Sequence, residues 1–271
     1  VQYIDDGQSE FANQFSPTKS PKMTTSFLVF QLYGPMASWG EIAVGEERDT
    51  ASHPSRTAVL GLCAAALGIK REQEEELLSL NGSLGFAVCV DEAGDIMRDY
   101  HTIQSPTGKR ARDLPTRRDE LSYGSLATTL SKRHYRTDAH YTVCLWRRGN
   151  DGPVVLTEIA AALEKPGFPL FLGRKSCPLA LPLNPRVVAA DSLRAAIATY
   201  PLPESIRQLA RRSGEARSVY WDADTYGVEP GLETIHHTKR WDSLVSRKRW
   251  QFARRDEAFA RMQRKPLEEV Q

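Results

Sequence analysis

Apolar residues fall along the chain in short runs with two distinct periods. Residues 27–33, Phe-Leu-Val-Phe-Gln-Leu-Tyr, make a run of strand length rich in β-formers, ended by Gly34-Pro35. A helical pattern opens after Pro54-Ser55-Arg56 and runs from Thr57 to Gly68. Ser55 or Thr57 serves as its N-cap and Gly68 as its stop. Arg71 to Leu80 continues as a short charged helix. Leu84, Phe86, Val88 and Val90 then alternate with smaller residues as a strand does, and Ile96 to Ile103 reads as its return strand after a turn at 91–95. Strand, helix, strand, strand suits the first half of a βαββαβ unit. A further strand is expected at His140–Trp146 and a further helix at Val154–Leu163, stopped by Lys165-Pro166-Gly167.

Between Ile103 and Asp138 the apolar period fails. Lys109, Arg110, Arg112, Arg117, Arg118, Lys132, Arg133 and Arg136 outnumber Asp113, Asp119 and Glu120 there. So long a segment inside a domain is functional or flexible, and its basic excess favours a phosphate-bearing partner. Tyr123 and Tyr135 are candidates for stacking on bases. The C-terminal third predicts helices at Asp191–Tyr200 and Pro203–Arg212 and strands around Val219–Trp221 and Glu233–Thr238. Near its end Arg240, Arg247, Lys248, Arg249, Arg254 and Arg255 surround Trp241, Trp250 and Phe252, a mixture compatible with RNA, with a subunit interface or with a plain solvated surface.

Two segments carry the chemistry of a phosphate contact. Residues 171–179, Phe-Leu-Gly-Arg-Lys-Ser-Cys-Pro-Leu, combine a turn-forming Gly173, the cations Arg174 and Lys175, and the hydroxyl of Ser176. The start of the 57–68 helix sets a cation, Arg56, beside free N–H groups and the positive end of the macrodipole, an anion site.

The motifs Gly34-Pro35-Met36-x-x-Trp39-Gly40, Pro54-Ser55-Arg56-Thr57 ahead of Leu60-Gly61-Leu62 and Leu67-Gly68-Ile69, Arg98-Asp99-Tyr100-His101-Thr102, and Leu172-Gly173-Arg174-Lys175-Ser176-Cys177-Pro178-Leu179 occur in that order. Together, from Ser26 to Phe259, the chain resembles the CasD subunit family of type I-E Cascade, the CRISPR RNA-guided surveillance complex. The resemblance implies an α+β fold: a ferredoxin-like RNA-binding domain at 23–180, a basic thumb hairpin inserted at about 104–137, and a smaller C-terminal region with short helices and strands at 181–271. It implies a non-catalytic subunit that grips the 5′ handle of the CRISPR RNA. The RNA-binding residues would be Trp39, Arg48, Ser55, Arg56, Thr57, His101, Lys109, Arg110, Arg112, Arg117, Arg118, Lys132, Arg133, Gly173, Arg174, Lys175, Ser176 and Cys177. The implied partners are CRISPR RNA, the CasC backbone subunit, the large CasA subunit and, through the complex, target DNA. The implied location is the cytoplasm, with no cofactor and no metal.

Composition narrows this picture. Lys plus Arg number 36 against 34 Asp plus Glu, a net charge of +2, so any RNA contact is local. Cys63, Cys89, Cys144 and Cys177 are widely spaced and read as buried thiols. No apolar run approaches membrane-spanning length. Residues 1–22 lack periodicity and precede Met23, and are expected to be a tag, leader or disordered extension. The competing function is a metal-independent endoribonuclease that processes CRISPR RNA precursors, as similar type I-C proteins do. His101, or His134 and Tyr135 with Lys132 nearby, would then supply acid/base chemistry.

Overall fold

The computed structural model describes residues 24–43, 45–108, 113–149, 155–204, 206, 208 and 216–263. In chain order the first half gives β1 (Thr25–Tyr33), β2 (Met36–Ala37), β3 (Glu47–Arg48), α1 (Arg56–Ala66), α2 (Glu74–Ser83), β4 (Leu84–Glu92) and β5 (Asp95–Pro106). Then follow α3 (Arg117–Ser122), β6 (Leu126–Thr137), β7 (His140–Arg147), α4 (Leu156–Glu164) and β8 (Arg186–Ala190). The chain closes with α5 (Leu193–Thr199), β9 (Ala216–Asp222), β10 (His236–Ser246) and β11 (Gln251–Gln263).

Seven strands form one antiparallel sheet in the order β10-β11-β9-β4-β7-β1-β8. The fold is therefore mixed α+β. The continuous apolar character of β1, β4 and β7 follows from burial on both faces of that sheet. Leu28, Phe30 and Leu32 of β1 join Phe86 and Val88 of β4 under α1, α2 and α4, where Leu60, Leu80 and Ile159 pack. Phe27 and Val29 point the other way, into a second core with Trp146, Trp221 and the Leu193, Ala196 and Ile197 face of α5. A strand with two dry faces has no polar face to alternate with.

Ser55 is the N-cap of α1, its side chain accepting from the Ala58 N–H at 3.2 Å. Gly68 takes φ +75° just past the last turn, the left-handed position that favours glycine. The buried face of α1 carries Val59, Leu60, Cys63, Ala64 and Ala66, whereas Gly61 is on the exposed side.

The return strand expected at 96–103 does not lie beside β4 in this sheet. The neighbours of β4 are β7 and β9. β5 instead pairs along its whole length with β6, from Asp95↔Thr137 to Pro106↔Leu126. At Gly94 (φ +62°) an added Cβ would come within 2.1 Å of the Thr137 carbonyl oxygen, and this close approach turns the chain out of the main sheet. The base of β6 also pairs with β2 and, in parallel, with β3. The segment with no apolar period is thus a long hairpin. Few of its residues are buried on either face, so no core imposes an alternation on them.

The region after 181 continues the main sheet on both sides, β8 against β1 and β9 against β4. The helix expected at Pro203–Arg212 falls largely outside the described residues, as do 1–22 and the cations Lys109, Arg110 and Arg112. All four cysteines are buried and free. Among the described residues, no helix is long and apolar enough to cross a membrane.

Candidate nucleic-acid interface

Residues 171–178 close a tight turn. Phe171 bridges Pro178, the Leu172 N–H donates to the Cys177 carbonyl at 2.7 Å, and the Cys177 N–H donates to the Arg174 carbonyl at 2.9 Å. The Ser38 N–H donates to the Leu172 carbonyl at 3.0 Å, which fastens this turn to the segment after β2. Gly173 has φ +84°, and a Cβ there would meet the Ser38 carbonyl oxygen at 1.9 Å. Only glycine satisfies both demands.

Arg174 is the tie between this loop and the base of the hairpin. Its guanidinium donates to the Arg48 carbonyl at 3.1 Å and to the His134 carbonyl at 3.5 Å, and lies 4.8 Å from the centre of the Tyr135 ring. Parallel pairing sets Glu47 beside Lys132 and Arg48 beside Arg133. The loop, β3 and β6 therefore meet at one surface. Lys175, Ser176 and Arg48 are exposed there, and Lys132 and Arg133 are half-buried. Lys132 donates to Glu47 at 2.7 Å, and that carboxylate raises the ammonium pKa.

Several expected contacts are corrected by burial. Trp39 is only 3% exposed and packs edge-on against Tyr141, with ring centres 5.7 Å apart. It is a core residue and has no face for a base. Cys177 is fully buried, and burial pushes its thiol pKa up. Tyr135 is 4% exposed beneath Arg174, so it stacks on a guanidinium and not on RNA.

Arg56 is 2% exposed and points inward, donating to the Leu84 carbonyl at 2.9 Å and to the Asn81 carbonyl, with Nε 3.4 Å from Asp222. Burial lowers its pKa to about 10. The anion site expected at the start of α1 is already filled by the protein: Asp242 accepts from the Arg56 backbone N–H at 2.9 Å. Ser55 is spent on capping. Thr57 is the part of that motif that still borders an open groove, together with Gly40 and Gly173.

The hairpin cations are spread out. Arg117 pairs with Glu120 on α3 and donates to the Gln104 carbonyl, and Arg118 is exposed beside it. These lie toward the far end of β5–β6. Twelve residues at about 3.4 Å each put that end on the order of 40 Å from the hairpin base.

His101 pairs with Asp99 at 2.6 Å on β5. His134 sits at the base, its Nδ1 2.5 Å from Asp49, while its Nε2 accepts from Arg98 at 3.0 Å. That acceptance assigns the ring proton to Nδ1, facing Asp49. His101 lies opposite Ser131, three ladder steps from His134, so the two imidazoles do not form one acid/base pair. Ligand atoms of Glu47, Asp49 and His134 lie within 4.8 Å of one another. Lys132 and Arg98 already engage this cluster, which makes it an ion-pair network.

Sequence reasoning missed the acid groups that neutralise the buried arginines. Asp222, Asp242 and Glu257 are 2%, 4% and 1% exposed. Asp222 accepts from Arg148, Arg255 and the Phe86 N–H, while Asp242 and Glu257 share the rest of the Arg255 guanidinium. Burial would raise the Glu257 pKa, but the hydrogen bond and charge of His53, then Arg255 and Arg240, outweigh it and hold the group down at about 2.

This architecture has known counterparts. The family model described as CRISPR-associated protein (Cas_Cas5) matches residues 27–256. The CRISPR system Cascade subunit CasD of Escherichia coli (strain K12) is 34% identical over 183 residues, covering 65% of this chain and 77% of that protein. A solved CRISPR RNA-guided surveillance complex contains a chain that superposes with a TM-score of 0.60 at 27% identity, covering 88% of this chain and 90% of that one. A second solved structure, of a Cas protein, gives a TM-score of 0.52 at 23% identity over 88% and 95% of the two chains, a likeness of fold. With the matched region extending from β1 into β11, the chain belongs to the Cas5 family of CRISPR-associated proteins.

Proposed function

We propose that the chain is a non-catalytic Cascade subunit that holds the 5′ handle of the CRISPR RNA. The similarity to a Cascade subunit and to a surveillance complex supports the assembly role. The observation that carries the RNA assignment is the bridge made by Arg174. It fixes Lys175 and Ser176 beside Arg48 and the half-buried Arg133, so cations and a hydroxyl line a surface at the root of a protruding hairpin. Single-stranded RNA suits such a surface, since its backbone is reached by cations and its bases splay freely. In this reading β5–β6 is the thumb. The order β4-β7-β1-β8, with α1, α2 and α4 on one face, supports a ferredoxin-like core to which β9–β11 are added. CasC and CasA would be the neighbouring subunits and target DNA would be met through the complex, in the cytoplasm. His134 is held between Asp49 and Arg98 and His101 by Asp99, which favours structural roles for both.

Lys175 gives the cleanest test, because Arg174 also supports the loop. Lys175→Ala should weaken binding of a cognate handle RNA while leaving the melting temperature unchanged. The slope of log K against log salt should fall by about 0.7, the value for one lost phosphate contact on a single strand. An unchanged slope would remove the loop from the interface.

A further inference from the structure

A groove of about 470 Å³ separates the outer face of α1 from the tip of the β10–β11 hairpin. Ala58, Gly61 and Ala65 of α1 line one wall, and Phe171, Leu244 and Phe252 line the rest of an apolar floor. Trp250, at the hairpin tip, is 56% exposed at the rim. The Arg247 guanidinium carbon lies 3.9 Å from its ring centre and that of Arg71 lies 5.0 Å away. Among the described residues neither arginine has a carboxylate partner, in contrast to Arg148, Arg217 and Arg255. Burial, and then the charge of Arg71, hold the Arg247 pKa below its ordinary value. Two like charges crowded without a counter-ion favour an anionic occupant.

The kind of anion follows from the rest of the groove. Trp250 already carries two guanidiniums, so its ring is engaged with cations and is a poor platform for a base. The floor offers few groups to read a base edge. Asn81 is committed to the Leu77 carbonyl, which leaves Thr57. Apolar anchors with adjacent carboxylates fit better, and Trp, Phe and Arg are enriched where proteins meet.

We infer that this groove docks an apolar, acidic segment of a protein partner, with apolar side chains on the small-residue wall of α1 and carboxylates on Arg71 and Arg247. The inference rests on the reading above that the chain works inside a multi-subunit complex.

The test places the photo-crosslinker p-benzoylphenylalanine at Gly61, where an added Cβ meets nothing within 4 Å. The complex is reconstituted from the full chain, its partner subunits and guide RNA, and is then irradiated. The expected product is a crosslink to a protein segment in which Asp or Glu adjoins apolar residues. Arg71→Glu with Arg247→Glu should cut that crosslink by about tenfold or more, because like charges are then opposed. Lysine in place of the partner's carboxylates should restore it. A crosslink to RNA, no crosslink in an assembled complex, or a yield indifferent to the double reversal would overturn the inference while leaving the complex intact. Failure of the unsubstituted chain to assemble would instead overturn the complex reading, and this inference with it.

Discussion

Asp222→Ala should be among the most damaging substitutions in the protein, lowering stability by about 3–5 kcal/mol. The Asp222 carboxylate ends β9, is 2% exposed, and gathers Arg148 at 2.7 Å, Arg255 at 3.0 Å, the Phe86 N–H at 3.1 Å and Arg56 at 3.4 Å. Its removal leaves Arg148 and Arg56 without this carboxylate and takes one of three acids from Arg255, loosening a network that links α1, β4, β9 and β11. The favourable Coulomb energy disappears while the desolvation cost of the cations stays. Against a total stability of about 5–15 kcal/mol, that is a large fraction. The melting temperature should drop by on the order of 10 °C. Adding Arg148→Ala should recover part of the loss, since it removes one stranded charge. A urea-denaturation difference below about 1 kcal/mol, the range of an ordinary surface change, would contradict the network's role.

Gly173→Ala should have the largest effect on RNA binding. The turn would hold alanine in the left-handed region, at about 1–2 kcal/mol, and the new Cβ would lie 1.9 Å from the Ser38 carbonyl oxygen. The clashing Ser38 oxygen is backbone and cannot rotate aside, so the loop must move. Arg174 then leaves Tyr135 and the carbonyls of Arg48 and His134, and the surface it organises comes apart. Loss of two or three contacts predicts a weakening of handle binding by about tenfold to a hundredfold in fluorescence anisotropy. Leu172 and Cys177, which flank the turn, are buried in the core, so the melting temperature should fall as well, and affinity is compared well below the transition. Gly82→Ala is the control: this exposed position in α2 has open space around it, and alanine there should leave RNA affinity as it was. Wild-type affinity for Gly173→Ala would show that the loop is not part of the grip.

The sequence made legible what local chemistry decides. β1, β4 and β7 stand out because they are dry on both faces, and α1 because a cap, an apolar stripe and a terminal glycine agree. β5 was legible as a strand, but its partner was not. A two-residue turn after β4 suggests a hairpin within the main sheet, and only the contact of Gly94 with Thr137 shows that β5 turns away. The hairpin as a whole escaped the apolar pattern because neither of its faces is buried along most of its length. Charge singled out candidate cations without sorting them. Arg56, Arg174 and Lys175 look alike in the sequence. One is buried, one ties a loop down and one is free for a ligand. The acid that meets the Arg56 backbone is 186 residues away, and no local pattern reports a partner at that distance. Trp39 and Tyr135 follow the same rule: an aromatic in a polar, basic stretch suggests a base platform, and both are buried by packing from elsewhere in the chain.

The central claim, that this chain grips a guide without cutting it, is tested most directly by one incubation. The purified chain is mixed with full-length repeat RNA, and separately with the processed guide, in the presence of a chelator. Cleavage products and retention of the 5′ handle are then followed together. The account predicts no specific cleavage of the repeat and retention of the processed guide through its 5′ end, with His134→Ala leaving the product pattern unchanged. A specific repeat cleavage that disappears in His134→Ala, where the imidazole between Asp49 and Arg98 would then be acting as acid or base, would contradict it.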